Sequence, residues 1–123
     1  MASHAKKHFP GILQNEKKFK EGDYVQALID AFLKYDALVG KEDFAMDTGT
    51  TSNVVLLTKT HIYCANAGDS RACLNRSGKE VPLSYDHKPG ADEEKERINA
   101  AKHFVEDDRV DGNLALSRAF GDF

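Results

Sequence analysis

At 123 residues, 41% hydrophobic and 30% charged, the chain has the composition of one soluble folded domain and is too short for two. A net charge of −3 gives no basis for nucleic acid as the main partner, and no apolar run approaches the ~20 residues that cross a bilayer. The basic start, Met1 to His8, leads into no long apolar segment, so it is not a secretory signal.

Residues Ala2 to Asn15 read as a helix broken at Pro10-Gly11 that opens without a capping residue, a hint of truncation. Phe19 to Gly22 reads as a loop. Asp23 is placed to cap a helix that runs to about Val39 and ends at Gly40. Its Val25, Leu28, Ile29 and Phe32 recur at helical spacing, which predicts one core-facing stripe.

After Asp47 the pattern turns to strands. Gly49-Thr50-Thr51-Ser52 leads into Asn53 to Leu57, Lys59-Thr60 turns, and His61 to Ala67 follows. Gly68-Asp69-Ser70 breaks the pairing, and Arg71 to Arg76 and Glu80 to Leu83 flank a turn at Ser77 to Lys79. This spacing predicts an antiparallel meander. The near-continuous apolar character of the first two strands predicts cover on both faces. Cys64 and Cys73 lie in these runs; one disulfide is arithmetically open, and buried reduced thiols in an intracellular protein are the expectation. Tyr85 to Gly90 reads as a loop. Asp92 to Ala101 reads as a helix with an acidic first turn and an i, i+4 pair between Glu93 and Arg97.

Several residues are placed for chemistry. Asp69, on a tight turn between strands, offers a carboxylate to a hard cation such as Mg²⁺ or Mn²⁺, although an Asx-turn in a hairpin is the commoner explanation of such a residue. Asp86-His87-Lys88-Pro89 combines a carboxylate, an imidazole and an ammonium, although a lone loop histidine is more often simply exposed. Glu93 to Arg97 reads as a solvated helix face, and His103 as a partner for that helix's C-terminus. In the closing stretch, Arg109, Asp111 and Arg118 are suited to pair with one another or to hold an anion. Gly112 and Gly121 there imply backbone in a special shape. There is no nucleophile elbow, P-loop, zinc spacing or dinucleotide fingerprint.

Order and spacing carry more than any one motif. Gly49-Thr50-Thr51, Asn66-Ala67-Gly68-Asp69-Ser70-Arg71, Asp86-His87-Lys88-Pro89, Glu94-Lys95-Glu96-Arg97-Ile98 and Arg109 to Asp122 come in sequence. Together they resemble the metal-dependent protein serine/threonine phosphatases, the PPM or type 2C family. The resemblance implies an α+β fold: part of an α-β-β-α sandwich of antiparallel sheets flanked by helices. It implies hydrolysis of phosphoserine and phosphothreonine in phosphorylated proteins by a water shared between two Mg²⁺ or Mn²⁺ ions, and a cytoplasmic or nuclear setting.

By the same resemblance, residues 1–123 are a partial phosphatase domain. The family's Asp-Gly-His-Gly-Gly segment is expected before Met1 and its Asp-Gly-x-Trp-Asp and Asp-Asn segments after Phe123, so no catalytic set is intact within the chain. Asp69 matches the aspartate of an additional, weak metal site, and Arg109 and Arg118 fall near the phosphate. Gly68, Ser70, Arg71, Gly112, Gly121 and Asp122 match structural positions. Family members usually carry glycines where this chain has Ala101-Lys102-His103. Two functional readings follow: a piece of an active phosphatase that is itself inactive, or a truncated, non-catalytic homologue that binds phosphoproteins or phosphatase partners. Open sheet edges in a partial domain are expected to favour association between chains.

Overall fold

A computed structural model describes residues 1–46 and 48–123, so Asp47, after which the strand pattern is expected, lies outside the described residues. The chain divides into two units: residues 1–50, 54–65 and 120–123, and residues 51–53 and 66–119.

The first unit is mainly helical. Helix α1 (Ala2–Asn15) runs unbroken through Pro10 and Gly11, contrary to the expected break. Proline there forfeits one backbone hydrogen bond, but Phe9 and Leu13 on either side are buried, and their packing holds the helix together. A single helical turn, α2 (Lys17–Lys20), takes up half of the expected loop, which narrows to a turn at Glu21-Gly22. Helix α3 (Tyr24–Val39) starts as expected: the Asp23 carboxylate accepts from the Gln26 N–H at 3.2 Å. Gly40 ends it in right-handed conformation (φ −61°), so the helix stops without a left-handed glycine cap.

The core stripe of α3 is rotated from the expected one. Ala27, Leu28, Ala31, Tyr35 and Val39 are buried, while Val25 and Ile29 are 58% and 49% exposed. Two alanines and a tyrosine form the packed face because Phe9 and Phe120 press their rings against it. Tyr35 and Phe120 lie 4.7 Å apart, Phe32 and Phe120 5.0 Å, and Phe9 and Phe120 5.9 Å, in tilted or edge-on arrangements. Phe120 arrives on β8 (Phe120–Gly121), which pairs antiparallel with β1 (Gly49–Thr50) in the register Gly49↔Gly121 and Thr50↔Phe120. The Gly121 N–H donates to the Asp36 carboxylate at 3.0 Å.

Strands β2 (Ser52–Leu57) and β3 (Ile62–Ala67) pair in a two-stranded sheet. Val54, Tyr63 and Ala65 pack against the core, but Val55, Leu57 and Ile62 are exposed, so the expected cover on both faces is not found. The strands alternate between an inner and an outer face, and their outer residues happen also to be apolar.

The second unit is built of short hairpins. Strands β4 (Cys73–Arg76) and β5 (Lys79–Pro82) pair antiparallel, Cys73 opposite Pro82 and Arg76 opposite Lys79. Ser77 and Gly78 both take positive φ (53° and 82°), the two-residue turn whose twist matches a hairpin. β2–β3 and β4–β5 are separate pairs, not the continuous meander expected, because residues 68–72 are irregular. Helix α4 (Asp92–Ala100) follows as expected. Strands β6 (Val105–Glu106) and β7 (Arg109–Val110) close over Asp107-Asp108, again with both φ positive (50° and 58°). The fold is α+β, helices with small antiparallel pairs. Neither cysteine is in a disulfide; Cys64 is half-buried and Cys73 exposed, which corrects the expected burial of the latter. Among the described residues no helix is long and apolar enough to cross a membrane.

Candidate functional site

Thr51, Asn66, His87 and the backbone of Arg118 gather around the turn that follows β3. Gly68 is buried with φ at +103°, and a Cβ there would stand 2.4 Å from the Thr51 methyl and 2.9 Å from the Arg118 carbonyl oxygen. Only glycine fits both that conformation and that space. His87 closes the turn from the other side. Its backbone N–H donates to the Gly68 carbonyl at 3.0 Å, and its ring Nδ1 accepts from the Gly68 N–H at 3.1 Å. Burial, and then the nearby Arg118 charge, push the imidazole below its usual pKa, so at neutral pH it is uncharged and Nδ1 is free to accept. His87 is therefore neither a free loop histidine nor placed as an acid or base; it fixes the turn that presents Asp69.

Amides and hydroxyls extend the scaffold. Asn53 Nδ2 donates to Asn66 Oδ1 at 2.9 Å and to Ser84 Oγ at 3.0 Å, and Asn66 Nδ2 donates to the carbonyls of Gly68 and Tyr85, both at 2.9 Å. Thr51 and Ser70 share a hydroxyl hydrogen bond at 2.7 Å. Arg71 grips Asp86 with two parallel hydrogen bonds, Nε to Oδ1 at 2.9 Å and Nη2 to Oδ2 at 2.8 Å, which lowers the Asp86 pKa and raises that of Arg71.

Asp69, the candidate metal ligand, has its Oδ2 paired with the Lys88 ammonium, and this bond raises the lysine pKa; Asp86 and Asp108 act in the same direction. A divalent cation needs several converging oxygens. Asp69 brings one carboxylate, already held by a cation, and no group of three or more His, Cys, Asp or Glu among the described residues is arranged to hold a metal ion. The described residues do not make a Mg²⁺ or Mn²⁺ site.

Glu94, expected on a solvated helix face, is instead 4% exposed. Arg118 Nε contacts both of its oxygens at 3.0 Å, and Arg97 Nη2 reaches Oε2 at 2.8 Å. Burial alone would raise its pKa, but the two guanidiniums outweigh it and bring the carboxyl down to about 2. Arg97 also donates to the Ser117 carbonyl at 2.6 Å, so α4 and the 117–118 segment are tied at two points. The expected Glu93–Arg97 pair is replaced by the pair with Glu94, three residues away rather than four.

Arg109, Asp111 and Arg118 do not pair with one another. Arg109 Nη1 donates to the Asn113 carbonyl at 2.6 Å. Asp111 accepts from the Phe104 N–H at 3.1 Å and contacts His103 Nδ1 at 2.6 Å, so His103 serves a side chain rather than the end of α4. Asp107, Asp108, Asp111, Gly112, Gly121 and Asp122 all have positive φ, which bears out the special backbone shape expected of the closing stretch. In the first unit, the Asp122 carboxylate lies where a Gly49 Cβ would be, with Oδ2 1.9 Å from that position, which explains the glycine that opens Gly49-Thr50-Thr51.

The family model described as protein phosphatase 2C matches residues 1–123. Protein phosphatase 2C homolog 2 of Schizosaccharomyces pombe is 47% identical over 100% of this chain and 34% of its own length. Protein phosphatase 2C homolog 2 of Saccharomyces cerevisiae is 50% identical over 91% of this chain and 25% of its own length. The crystal structure of a phosphatase from a pathogenic strain of Toxoplasma gondii aligns with a TM-score of 0.61 and 25% identity, over 96% of this chain and 51% of that one. The chain thus spans only a quarter to about a third of the length of these two curated relatives.

Proposed function

The chain belongs to the protein phosphatase 2C family, and we propose that the whole protein hydrolyses phosphoserine and phosphothreonine in other proteins, with residues 1–123 supplying scaffold rather than a complete catalytic centre. The observation that carries the proposal is the family match along the full chain. Family members depend on Mg²⁺ or Mn²⁺, which supply an activated water and charge neutralisation when bound. The described residues do not assemble that ligand set, so in this reading the ions' remaining ligands come from other parts of the whole protein.

The chain's own residues act as positioners in this reading. Gly68 and His87 set the turn that carries Asp69, an outlying contributor to a weak metal site. Glu94 fixes the Arg118 side chain, and the Asn113 carbonyl fixes that of Arg109, the two arginines proposed near the phosphate. The substrates are phosphorylated proteins and the setting is intracellular; neither Cys64 nor Cys73 is in a disulfide, which suits a reducing compartment.

The test is turnover of a phosphothreonine peptide with Mn²⁺, comparing residues 1–123 with the whole protein. The whole protein is expected to be active. The piece should fall lower by at least about 10³-fold, since enzymes commonly owe 10⁶-fold or more to an assembled centre. Equal rates would refute the scaffold assignment, and an inactive whole protein would refute the phosphatase reading.

A further inference from the structure

The first unit carries a groove of about 710 Å³ between the start of α3 and the tip of the β2–β3 hairpin. Phe19, Tyr24 and Tyr63 form its wall, with Leu57 and Lys59 on the hairpin side. The wall is one connected aromatic surface: Phe19 meets Tyr24 edge-on at 5.3 Å, and Tyr24 lies 5.5 Å from Tyr63. Each ring is held by its neighbour, so little side-chain freedom remains to be lost on binding. Leu57 is 70% exposed at the groove, an apolar group with nothing over it.

The polar groups of the tip are mostly used internally. Thr58 Oγ1 accepts from the His61 N–H at 2.9 Å, and Thr60 Oγ1 meets His61 Nδ1 at 2.8 Å. Lys59 differs. It makes no ion pair among the described residues, and neither does Lys20, one residue beyond Phe19. Residues 1–22 hold five lysines against two glutamates, in a chain whose net charge is −3. Basic character is thus concentrated in the segment that ends at this groove, while the chain as a whole would repel acidic partners. An apolar, aromatic floor beside an unpaired ammonium is complementary to an apolar side chain flanked by carboxylates.

We propose that this groove is a docking site for an acidic-hydrophobic peptide segment of a protein partner. A leucine or phenylalanine of the peptide lies against Tyr24, Tyr63 and Leu57. A neighbouring aspartate or glutamate meets Lys59. Such a site recruits a partner through residues other than the phosphorylated one, and its occupancy is independent of phosphate turnover.

The probe is a dye-labelled peptide, Asp-Glu-Leu-Phe-Asp-Glu, with Lys-Lys-Leu-Phe-Lys-Lys as its charge-reversed partner, titrated against the whole protein by fluorescence anisotropy. The acidic peptide is expected to bind at least about tenfold more tightly. Lys59→Glu should weaken it by about tenfold or more, and the gap should narrow as salt is raised. Leu57→Ser removes the exposed apolar contact and should also weaken binding. Both positions are exposed, so unchanged thermal melts are expected to show that the fold survives. Hydrolysis of a small aryl phosphate by the whole protein should be the same for wild type and Lys59→Glu, which separates failure of docking from failure of the phosphatase reading. Equal binding of the two peptides, or no loss in Lys59→Glu, would overturn the proposal.

Discussion

The two units are held by different kinds of contact. In residues 1–50, 54–65 and 120–123 the buried groups are aliphatic and aromatic, interlocked around Tyr35 and Phe120. In residues 51–53 and 66–119 the described residues bury Ile98 and Pro89 beside Ser84 and Glu94, and the segment is tied by side-chain hydrogen bonds and ion pairs. Apolar contacts are non-directional, so the first unit tolerates small shifts and loses stability in proportion to the volume removed. In the second, Glu94, Asn66 and His87 have named partners at fixed distances, and removing one of these groups leaves its partners unsatisfied.

The largest expected effect tests the apolar side. Phe120→Ala empties a site that touches the rings of Phe9, Phe32 and Tyr35 and should cost about 3–5 kcal/mol in urea unfolding. A loss under about 1 kcal/mol would break the comparison. Next is Gly68→Ala, which adds a methyl 2.9 Å from a backbone oxygen at a conformation alanine avoids; about 2–4 kcal/mol should be lost, with hydrogen exchange quickening around Gly68 and His87.

The smallest effect sharpens the polar side. The Glu94 pKa falls from 4.5 to about 2 on folding, so its stabilisation is present above pH 4.5 and drains away as pH falls toward 2. At ~1.36 kcal/mol per pKa unit that would be ~3 kcal/mol. The two arginines are 45% and 46% exposed, and solvent screening reduces the figure to about 1–2 kcal/mol. Glu94→Gln should lose that amount at pH 7 and flatten the acid limb of a stability-against-pH curve between 4.5 and 2. An unchanged acid limb would show that the clamp contributes nothing.

What could be read in the sequence divides along the same line. The Asp23 cap, helix α4, the break at Gly68 to Ser70 and the strand runs all follow from local signals: a capping carboxylate, an acidic first turn, glycine punctuation and β-branched residues. Their family order was readable as well. The α3 stripe was misjudged because Ala27, Ala31 and Tyr35 score weakly as hydrophobic, although their shape suits the ring of Phe120, 85 residues downstream of Tyr35. Glu94 escaped notice because its partner Arg118 lies 24 residues away. Nothing within one helix distinguishes a carboxylate that meets two guanidiniums from one that meets water. His87 was legible as a motif residue but not as a turn-closing acceptor, which depends on where the Gly68 N–H points.

The hydrogen bond from the Gly121 N–H to Asp36 spans 85 positions, and its consequence is kinetic. The helices and their tyrosine can form early from local contacts, but the ring that completes their core lies far along the chain from them. Closing so long a loop costs little more free energy than closing one half its length, because the penalty grows only with the logarithm of loop size. It does take time, and proteins dominated by such distant pairings fold more slowly than those built from neighbours. Until residue 120 arrives, the face of α3 that carries Tyr35 lacks its cover, and the chain is at its most vulnerable to sticking elsewhere.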